Sequence, residues 1–307
     1  MSRFSQNESL VLVNLPKAGL GNKLFVWARG LVFAYLNELS LLISPWEQLT
    51  ARSFLRGSNR FYLGHLRSTP LSQFLFYKAT LRFYEYQREP DLEKIIPYSD
   101  SIPTAYIFDQ IPHWFDPFQG IKQHRDYVRN ELLSIIRTRY SNEINTLKAP
   151  LISIHVRRGD FRELATGEDF ARVGGVRTPL QYFSKLIQQI QTICGQSIPI
   201  TIFSDGTEQE LEELLVLPSV QLSISRVAIV DLILMSKSKL IISSAGSTFS
   251  QWAGFLSSAA VIHHPDHFHT SSRSTEINEL YFEGIIPSEI NKYPPQLLNM
   301  LTSLVET

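Results

Sequence analysis

Residues 151–160 have the sequence Leu-Ile-Ser-Ile-His-Val-Arg-Arg-Gly-Asp, and this stretch decides the fold class. Residues 151–154 follow Pro150 and are mostly apolar, which is typical of a buried strand. Charged side chains begin immediately afterwards, with His155 first and Asp160 last. Because ligands of open α/β sheets bind beyond the carboxyl ends of the strands, this order predicts an anion-binding site at a strand end.

A purely structural interpretation of the same stretch is also open. One arginine would form an ion pair with Asp160 at the end of the strand, and the other arginine would lie in solvent. The ten residues alone do not choose between an anion site and a structural ion pair.

The sequence on the carboxyl side of this stretch alternates between strands and helices. Apolar runs at residues 198–203, 220–225, 240–243 and 260–263 predict strands. Thr178 and Gln181 have the spacing of a capping box, and so do Thr207 and Glu210. This alternation predicts a mostly parallel sheet with helices on both faces.

The sequence on the amino side begins with a second unit of the same kind. A strand is predicted over residues 9–15, a glycine-containing loop over 16–22, an amphipathic helix over 24–39 and a strand over 41–44. Residues 71–89 contain neither proline nor glycine, which indicates a further helix. The sequence therefore predicts two doubly wound domains.

Composition limits the class of protein. The chain has 307 residues, 44% of them hydrophobic, which is enough for two globular domains. Its formal net charge is zero, and this argues against non-specific nucleic-acid binding, which requires an excess of cations. We expect no nucleic-acid partner.

Compartment and membrane association follow from two further observations. Cys194 is the single cysteine, so an internal disulfide is excluded and a reducing compartment is favoured. Residues 1–10 lack the apolar region of a signal peptide, and charged residues interrupt the apolar segment at 24–43. We expect a cytoplasmic protein without a transmembrane segment, with peripheral membrane association left open.

Five short motifs occur in a fixed order between residues 18 and 252. They are Ala-Gly-Leu-Gly-Asn-Lys-Leu-Phe at 18–25, His-Val-Arg-Arg-Gly-Asp at 155–160, Phe-Ser-Asp at 203–205, Asp-Leu-Ile-Leu-Met-Ser at 231–236, and Ser-Thr-Phe-Ser at 247–250 before Trp252. The ordered set resembles the α-1,2-fucosyltransferase family, within the wider group of α-1,6- and protein O-fucosyltransferases. Ala18 and Gly206 depart from the family pattern, and Gln251 is similar to the α-1,6 relatives.

The resemblance implies a GT-B-like α/β fold with two Rossmann-like domains that face each other across a cleft. Residues 1–148 would form an N-terminal domain on the acceptor side. Residues 149–270 would form the GDP-fucose-binding domain, and residues 271–307 would return to the N-terminal domain.

The resemblance also implies an activity. The expected reaction is an inverting, metal-independent transfer of fucose from GDP-fucose to O2 of a terminal galactose, on an oligosaccharide or a lipid-linked glycan. No cofactor is expected. The alternatives are a fucosyltransferase of other linkage, such as α-1,6, and an inactive module that binds GDP or a glycan.

The family motifs assign roles to individual residues. Arg157 matches the position that holds the β-phosphate, and His155 and Asp205 match positions associated with guanine recognition. The expected donor-binding residues are Gly19, Gly21, Asn22, His155, Arg157, Arg158, Ser204, Asp205, Ser247, Thr248, Phe249 and Ser250.

The reaction also requires a base that accepts the proton of the acceptor hydroxyl. Asp160 and Glu163 are the candidates, with Glu168 and Asp169 in the same loop. Asp160 has an alternative role, which is to orient Arg158.

Four histidines lie close together at 263, 264, 267 and 269. Such density is compatible with a metal site, but the spacing of neighbouring carboxylates is not that of a metal-binding motif. We favour a solvated loop near the nucleotide site, and no metal is expected.

Overall fold

The computed structural model describes residues 8–47, 64–96, 103–224 and 226–306. Residue contacts divide the chain into two compact units. The first contains residues 1–143 and 227–229, and the second contains residues 144–226 and 230–307. The sequence analysis placed the boundary at 148/149.

The first unit is built on a four-stranded parallel sheet with the order β2-β1-β4-β3. Its strands are β1 (Leu10–Val13), β2 (Ser40–Ile43), β3 (Glu85–Arg88) and β4 (Thr104–Phe108). Its helices are α1 (Leu20–Leu36), α2 (Leu71–Thr80), α3 (Arg125–Ile135) and α4 (Thr138–Thr146), the last of which continues into the second unit. β1 is buried along its whole length, as an apolar strand between two neighbours should be.

The helix α1 packs tightly on this sheet because of a glycine. A Cβ atom at Gly30 would lie 2.3 Å from Cγ2 of Val13 and 3.4 Å from the ring of Phe108. The absence of a side chain lets the helix backbone approach the two strands closely.

The predicted helix over residues 71–89 is shorter than expected. α2 ends at Thr80, one 3₁₀ turn follows at Leu81–Phe83, and β3 begins at Glu85. The chain changes to a strand here without proline or glycine, because Glu85–Arg88 pairs with β4 at the edge of the sheet. Tertiary pairing therefore overrides the local signal.

The second unit is built on a six-stranded parallel sheet with the order β10-β9-β8-β5-β6-β7. Its strands are β5 (Ile152–Val156), β6 (Ile200–Ser204), β7 (Val220–Leu222), β8 (Leu240–Ile242), β9 (Ala260–Ile262) and β10 (Glu283–Gly284). Its helices are α5 (Leu180–Cys194), α6 (Glu212–Leu215), α7 (Ala228–Ser236), α8 (Thr248–Leu256), α9 (Thr275–Leu280) and α10 (Pro295–Ser303); the first residues of α7 group with the first unit.

The order of these strands is that of a dinucleotide-binding Rossmann sheet. From β5 the chain proceeds outward through β6 to β7 and then returns to β8 on the opposite side of β5. The order in which the chain adds strands reverses between β5 and β8, and ligands of such sheets bind at this point. The predicted α/β fold with two Rossmann-like parallel sheets is confirmed.

The C-terminal segment differs from the expectation that it returns to the N-terminal domain. β10 extends the second sheet beside β9, and α10 contacts α5. Leu297, Leu301 and Leu304 belong to the same buried core as Phe183 and Ile190 of α5. The spacing of the three leucines forms one apolar stripe, and that stripe packs into the core that α5 shares with the sheet.

Among the residues that the structure describes, no helix combines the length and the apolar character that crossing a bilayer requires.

A fully buried carboxylate stabilises the edge of the second sheet. Glu283 of β10 accepts hydrogen bonds from Arg273 Nε (3.1 Å), from the N–H (2.8 Å) and hydroxyl (2.7 Å) of Ser272, and from the hydroxyl of Ser271 (2.6 Å). His263 Nε2 lies 3.2 Å from the same carboxylate. Burial alone would raise the pKa of Glu283, but His263, Arg273 and the hydroxyls outweigh burial and hold this pKa well below its usual range.

Replacement of Glu283 tests this network. Glu283→Gln leaves the Arg273 guanidinium buried without its counter-charge, so we expect a loss of about 3–5 kcal/mol in the free energy of unfolding. Urea denaturation at pH 7 measures this loss. Glu289→Gln is the matched control, because the Glu289–Lys292 pair is exposed and its loss should cost roughly 0.5 kcal/mol or less. Equal losses in the two variants would contradict the network's role.

Candidate functional site

Polar side chains lie at the edge of the second sheet where the order of its strands reverses. The central strand β5 ends with His155 and Val156 and is followed directly by Arg157. On one side β6 ends at Ser204, and on the other side β8 is followed by Ser243 and Ser244. Three strand ends therefore deliver hydroxyl, imidazole and guanidinium groups to one edge of the sheet.

Ser244 joins the ends of β5 and β8. Its hydroxyl donates to the carbonyl of His155 (2.7 Å) and accepts from the N–H of Arg157 (2.8 Å). Both partners are main-chain groups, so this one side chain fixes the backbone on either side of Val156. The sequence analysis did not choose Ser244 as a binding residue; its position directly after an apolar strand was the available signal.

Ser204 performs the same task from β6. Its hydroxyl donates to the carbonyl of Val156 (2.6 Å) and accepts from the N–H of Gly206 (3.0 Å). The predicted site residue Ser204 is therefore engaged in holding the backbone that carries Arg157.

Arg157 is held by two carboxylates. Nη1 donates to Asp205, and Nη2 donates to Oδ1 of Asp160 at 2.5 Å. The guanidinium carbon also lies 5.3 Å from the centre of the Phe161 ring, within the range of a cation–π contact. These contacts set the direction of the guanidinium group before any ligand binds.

Asp205 is bound by two consecutive residues of the loop that follows β5. While one of its oxygens accepts from Arg157, its Oδ1 accepts from the main-chain N–H of Arg158 at 2.8 Å. In this state both carboxylate oxygens of Asp205 are engaged within the protein.

Arg158 points in a different direction from Arg157. It is buried, and its Nη1 donates to the carbonyl of Thr178 at 3.2 Å. A Cβ atom at Gly206 would lie 2.7 Å from Arg158 Cγ, so this packing requires a glycine there. Burial lowers the pKa of Arg158, and the charge of Arg177 adds to this effect.

The expectation that Asp160 orients Arg158 is wrong. Asp160 contacts Arg157 instead, because the Arg158 side chain turns into the protein toward Thr178. Thr178 was expected to cap α5, but its hydroxyl accepts from the N–H of Ala245 at 3.0 Å. Thr178 thus joins the segment before α5 to the loop after β8, a long-range contact that the capping pattern does not reveal.

His155 is buried and neutral. Its Nδ1 lies 3.1 Å from the hydroxyl of Ser247, and its ring lies 5.1 Å from the ring of Phe249. Burial lowers the pKa of His155 to about 4; the charge of Arg157 adds to the lowering, and Asp205 opposes it. At neutral pH this imidazole is uncharged and can take part in recognition only through hydrogen bonds and ring contacts.

The first turn of α8 contains the other predicted donor residues. Ser247 caps this helix, since its hydroxyl accepts from the N–H of Ser250 at 3.5 Å. Thr248 and Phe249 are partly exposed. Ser250 is fully buried, and its hydroxyl donates to the carbonyl of Ser247 at 3.2 Å, so its side chain faces the protein interior and not a ligand.

The loop between β5 and α5 holds the remaining base candidates. Glu163 pairs with Arg177 at 3.0 Å, and Glu168 forms two bonds to Arg162 at 2.5 and 2.7 Å. The hydrogen bonds from Arg162 lower the pKa of Glu168.

Asp169 is also paired with an arginine. It contacts Arg172 at 3.2 Å and caps a 3₁₀ turn. Of the four candidate carboxylates, Asp160 is therefore the one that contacts Arg157.

Three of the four histidines after β9 form contacts within the protein. His263 belongs to the Glu283 network, and His264 packs against Tyr182 with ring centres 4.5 Å apart. His267 Nε2 bonds to the carbonyl of Phe170 at 2.9 Å. Within the described ranges no three His, Cys, Asp or Glu side chains are arranged to hold a metal ion.

The glycine-containing loop belongs to the first unit. Gly19 is the N-cap residue of α1, and Gly21 and Asn22 lie in its first turn. The next residue, Lys23, is buried, and its ammonium group donates to the carbonyl of Trp46 at 2.6 Å. Burial lowers the pKa of Lys23 to about 8, with Glu47 opposing the change. The sequence analysis assigned Lys23 no role.

Comparison with known proteins identifies related sequences and folds. The model of glycosyl transferase family 11 matches residues 82–280, about two thirds of the chain. A comparison with curated protein sequences gives no match.

Several solved structures are similar at low identity. A structure of NodZ α-1,6-fucosyltransferase soaked with GDP-fucose shares 14% identity, over 81% of this chain and 93% of that chain, with a TM-score of 0.48. A structure of POFUT1 in complex with GDP shares 12% identity, over 83% and 95%, with a TM-score of 0.49. NodZ from Bradyrhizobium shares 12% identity, over 85% and 97%, with a TM-score of 0.47.

The family match covers the strand that precedes Arg157 and the strand ends beside it. It includes β5, β6, β8 and the first turn of α8, which together form the site described above. The chain therefore belongs to glycosyl transferase family 11 and is a glycosyltransferase.

Proposed function

We propose that this glycosyltransferase transfers fucose from GDP-fucose to a hydroxyl group of a glycan, and that Arg157 binds the β-phosphate of the donor. The observation that carries the proposal is the position of Arg157. Arg157 directly follows the central strand, at the point where the order of the strands reverses. Residues at the neighbouring strand ends hold it in place. Family membership and the ordered motifs support fucose as the sugar.

The reaction needs a positive charge beside the leaving group, because the leaving group gains negative charge. As the acceptor oxygen attacks C1 of the sugar, the bond from C1 to the diphosphate oxygen breaks and its electron pair remains on the β-phosphate. A guanidinium group that is already oriented stabilises this charge without reorganisation. Asp205, Ser204 and Ser244 would contribute by holding Arg157 and its backbone.

The proton of the acceptor hydroxyl passes to a carboxylate. We propose Asp160 for this role because it lies beside Arg157, with Glu163 as the second candidate. Attack from the face opposite the leaving group gives inversion at C1. The side chains named here supply the proposed chemistry, so we propose that the reaction needs neither a metal ion nor a cofactor.

Other residues would hold the rest of the donor. We propose that His155 contacts the guanine as a neutral imidazole, with Phe249 beside it. Gly19, Gly21, Asn22, Ser247 and Thr248 remain proposed donor ligands, whereas we do not propose Arg158, because its side chain is buried and turns toward Thr178. Recognition of guanine by Asp205 would require it to give up a bond to Arg157 or Arg158, so we favour a positioning role for Asp205.

The proposed product is fucose on O2 of a terminal galactose, on an oligosaccharide or a lipid-linked glycan. The set of sequence motifs supports this linkage, whereas Gln251 favours the α-1,6 alternative. We also propose a cytoplasmic location, which the single cysteine supports.

The linkage can be tested directly. Purified protein is incubated with GDP-fucose, EDTA and a panel of galactose-terminated acceptors, and the products are analysed by NMR. We expect fucose on O2 of galactose, formed at the same rate with and without EDTA. Fucose at another position would overturn the linkage. Tight GDP binding with neither transfer nor donor hydrolysis would favour an inactive binding module.

Replacement of Arg157 tests the phosphate role. Arg157→Ala should lower kcat by about 10²–10³-fold, which is the usual effect of removing one donor that stabilises developing charge. Arg157→Lys should recover only part of this loss, because lysine lacks the planar fork. Transfer rates with saturating acceptor provide the measurement.

The control for this test is Arg172→Ala. Arg172 is exposed and pairs with Asp169 in the neighbouring loop, so its removal deletes one guanidinium and keeps both carboxylate partners of Arg157. Wild-type transfer rates are expected for this variant. Full activity of Arg157→Ala would exclude the proposed phosphate role.

A further inference from the structure

Arg157 has more negative charge around it than is expected of a residue that binds phosphate. Its one guanidinium group is paired with two carboxylates, Asp205 and Asp160, which leaves one net negative charge at this position. His155 is neutral at pH 7 and adds no positive charge. Each terminal nitrogen of the Arg157 guanidinium already donates to a carboxylate, so a diphosphate that approaches Arg157 has to compete with a carboxylate for it.

The two carboxylates are not equally easy to move. Asp205 accepts from the main-chain N–H of Arg158 as well as from Arg157, and its side chain is 29% exposed. Asp160 lies three residues after Arg157, and its side chain is 40% exposed. Asp205 would have to give up a main-chain donor that the fold fixes, and Asp160 is the more exposed of the two, so Asp160 is the carboxylate that a diphosphate would displace.

We propose that Asp160 competes with the diphosphate of the donor for Arg157, so that donor binding exchanges the Asp160–Arg157 ion pair for a phosphate–Arg157 pair. This inference rests on the proposed function, because it concerns binding of the donor at the same site. Asp205 keeps Arg157 oriented during the exchange. The exchange also makes the Asp160 carboxylate available to an acceptor hydroxyl only after the donor has bound.

The exchange predicts that removal of the Asp160 charge strengthens anion binding. Asp160→Asn should bind GDP about three- to fivefold more tightly than the wild type, a change of about 0.6–1 kcal/mol, since the ion pair that the diphosphate must displace is partly exposed. Inorganic pyrophosphate should show the same gain, because the competition concerns the phosphates and not the nucleoside. Isothermal titration calorimetry measures both dissociation constants.

Two further variants separate the proposed competition from a general charge or folding effect. Glu208→Gln removes one exposed negative charge three residues after Asp205, and we expect its affinity for GDP to match that of the wild type. In an Arg157→Ala background, Asp160→Asn should change affinity by less than about twofold, because the competitor acts through Arg157. Asp160→Ala provides a second test should the asparagine variant unfold, and thermal melts check folding.

The outcomes distinguish this inference from the proposed function. If the wild type binds GDP and Asp160→Asn binds GDP and pyrophosphate no more tightly, the competition is overturned while the donor site stands. A gain for pyrophosphate without any binding of GDP would support the competition and overturn the choice of nucleotide. Failure of every variant to bind either anion would overturn both.

Discussion

The ion pair between Arg157 and Asp205 joins the central strand of the second sheet to its neighbour, and the geometry of the site depends on it. Asp205 can perform this role because the strands are parallel and in register, with Val156 beside Ser204, so that the residues that follow both strands leave the sheet at the same level. Ser204 and Ser244 then fix the main chain on the two sides of the same strand end. A few short side chains thereby hold a flexible arginine in one orientation.

Burial of the central strand explains the character of the groups near it. β5 lies between β8 and β6, and all five of its residues are buried, so any polar group on it has to be satisfied locally. Ser153 and His155 meet this requirement through Ser238 and Ser247. The site thus combines one neutral, buried imidazole with one partly exposed guanidinium, two groups that respond to solvent in very different ways.

The sheets and the position of the site could be predicted from the sequence, because parallel strands buried on both faces appear as short apolar runs. The sequence also predicted that the residues directly after such runs, among them Arg157 and Asp205, lie at one edge of the sheet, and the contact between these two residues agrees. The partner of Asp160 could not be predicted, since adjacent residues after a strand point in different directions and Arg158 turns inward. The Glu283 network and the covering of α5 by α10 depend on contacts between residues far apart in the chain, which local patterns do not contain. The end of α2 at Thr80 was missed for the same reason.

The packing of α10 has a consequence for how the chain is made. Leu301 lies beside Cys194 across more than a hundred residues, and its carbonyl accepts from the cysteine thiol at 3.4 Å. During synthesis the part of the apolar surface of α5 that packs against α10 therefore stays exposed until the ribosome has added α10. Because transiently exposed apolar surface favours aggregation, this part of the second unit gains its full protection only when α10 has been made.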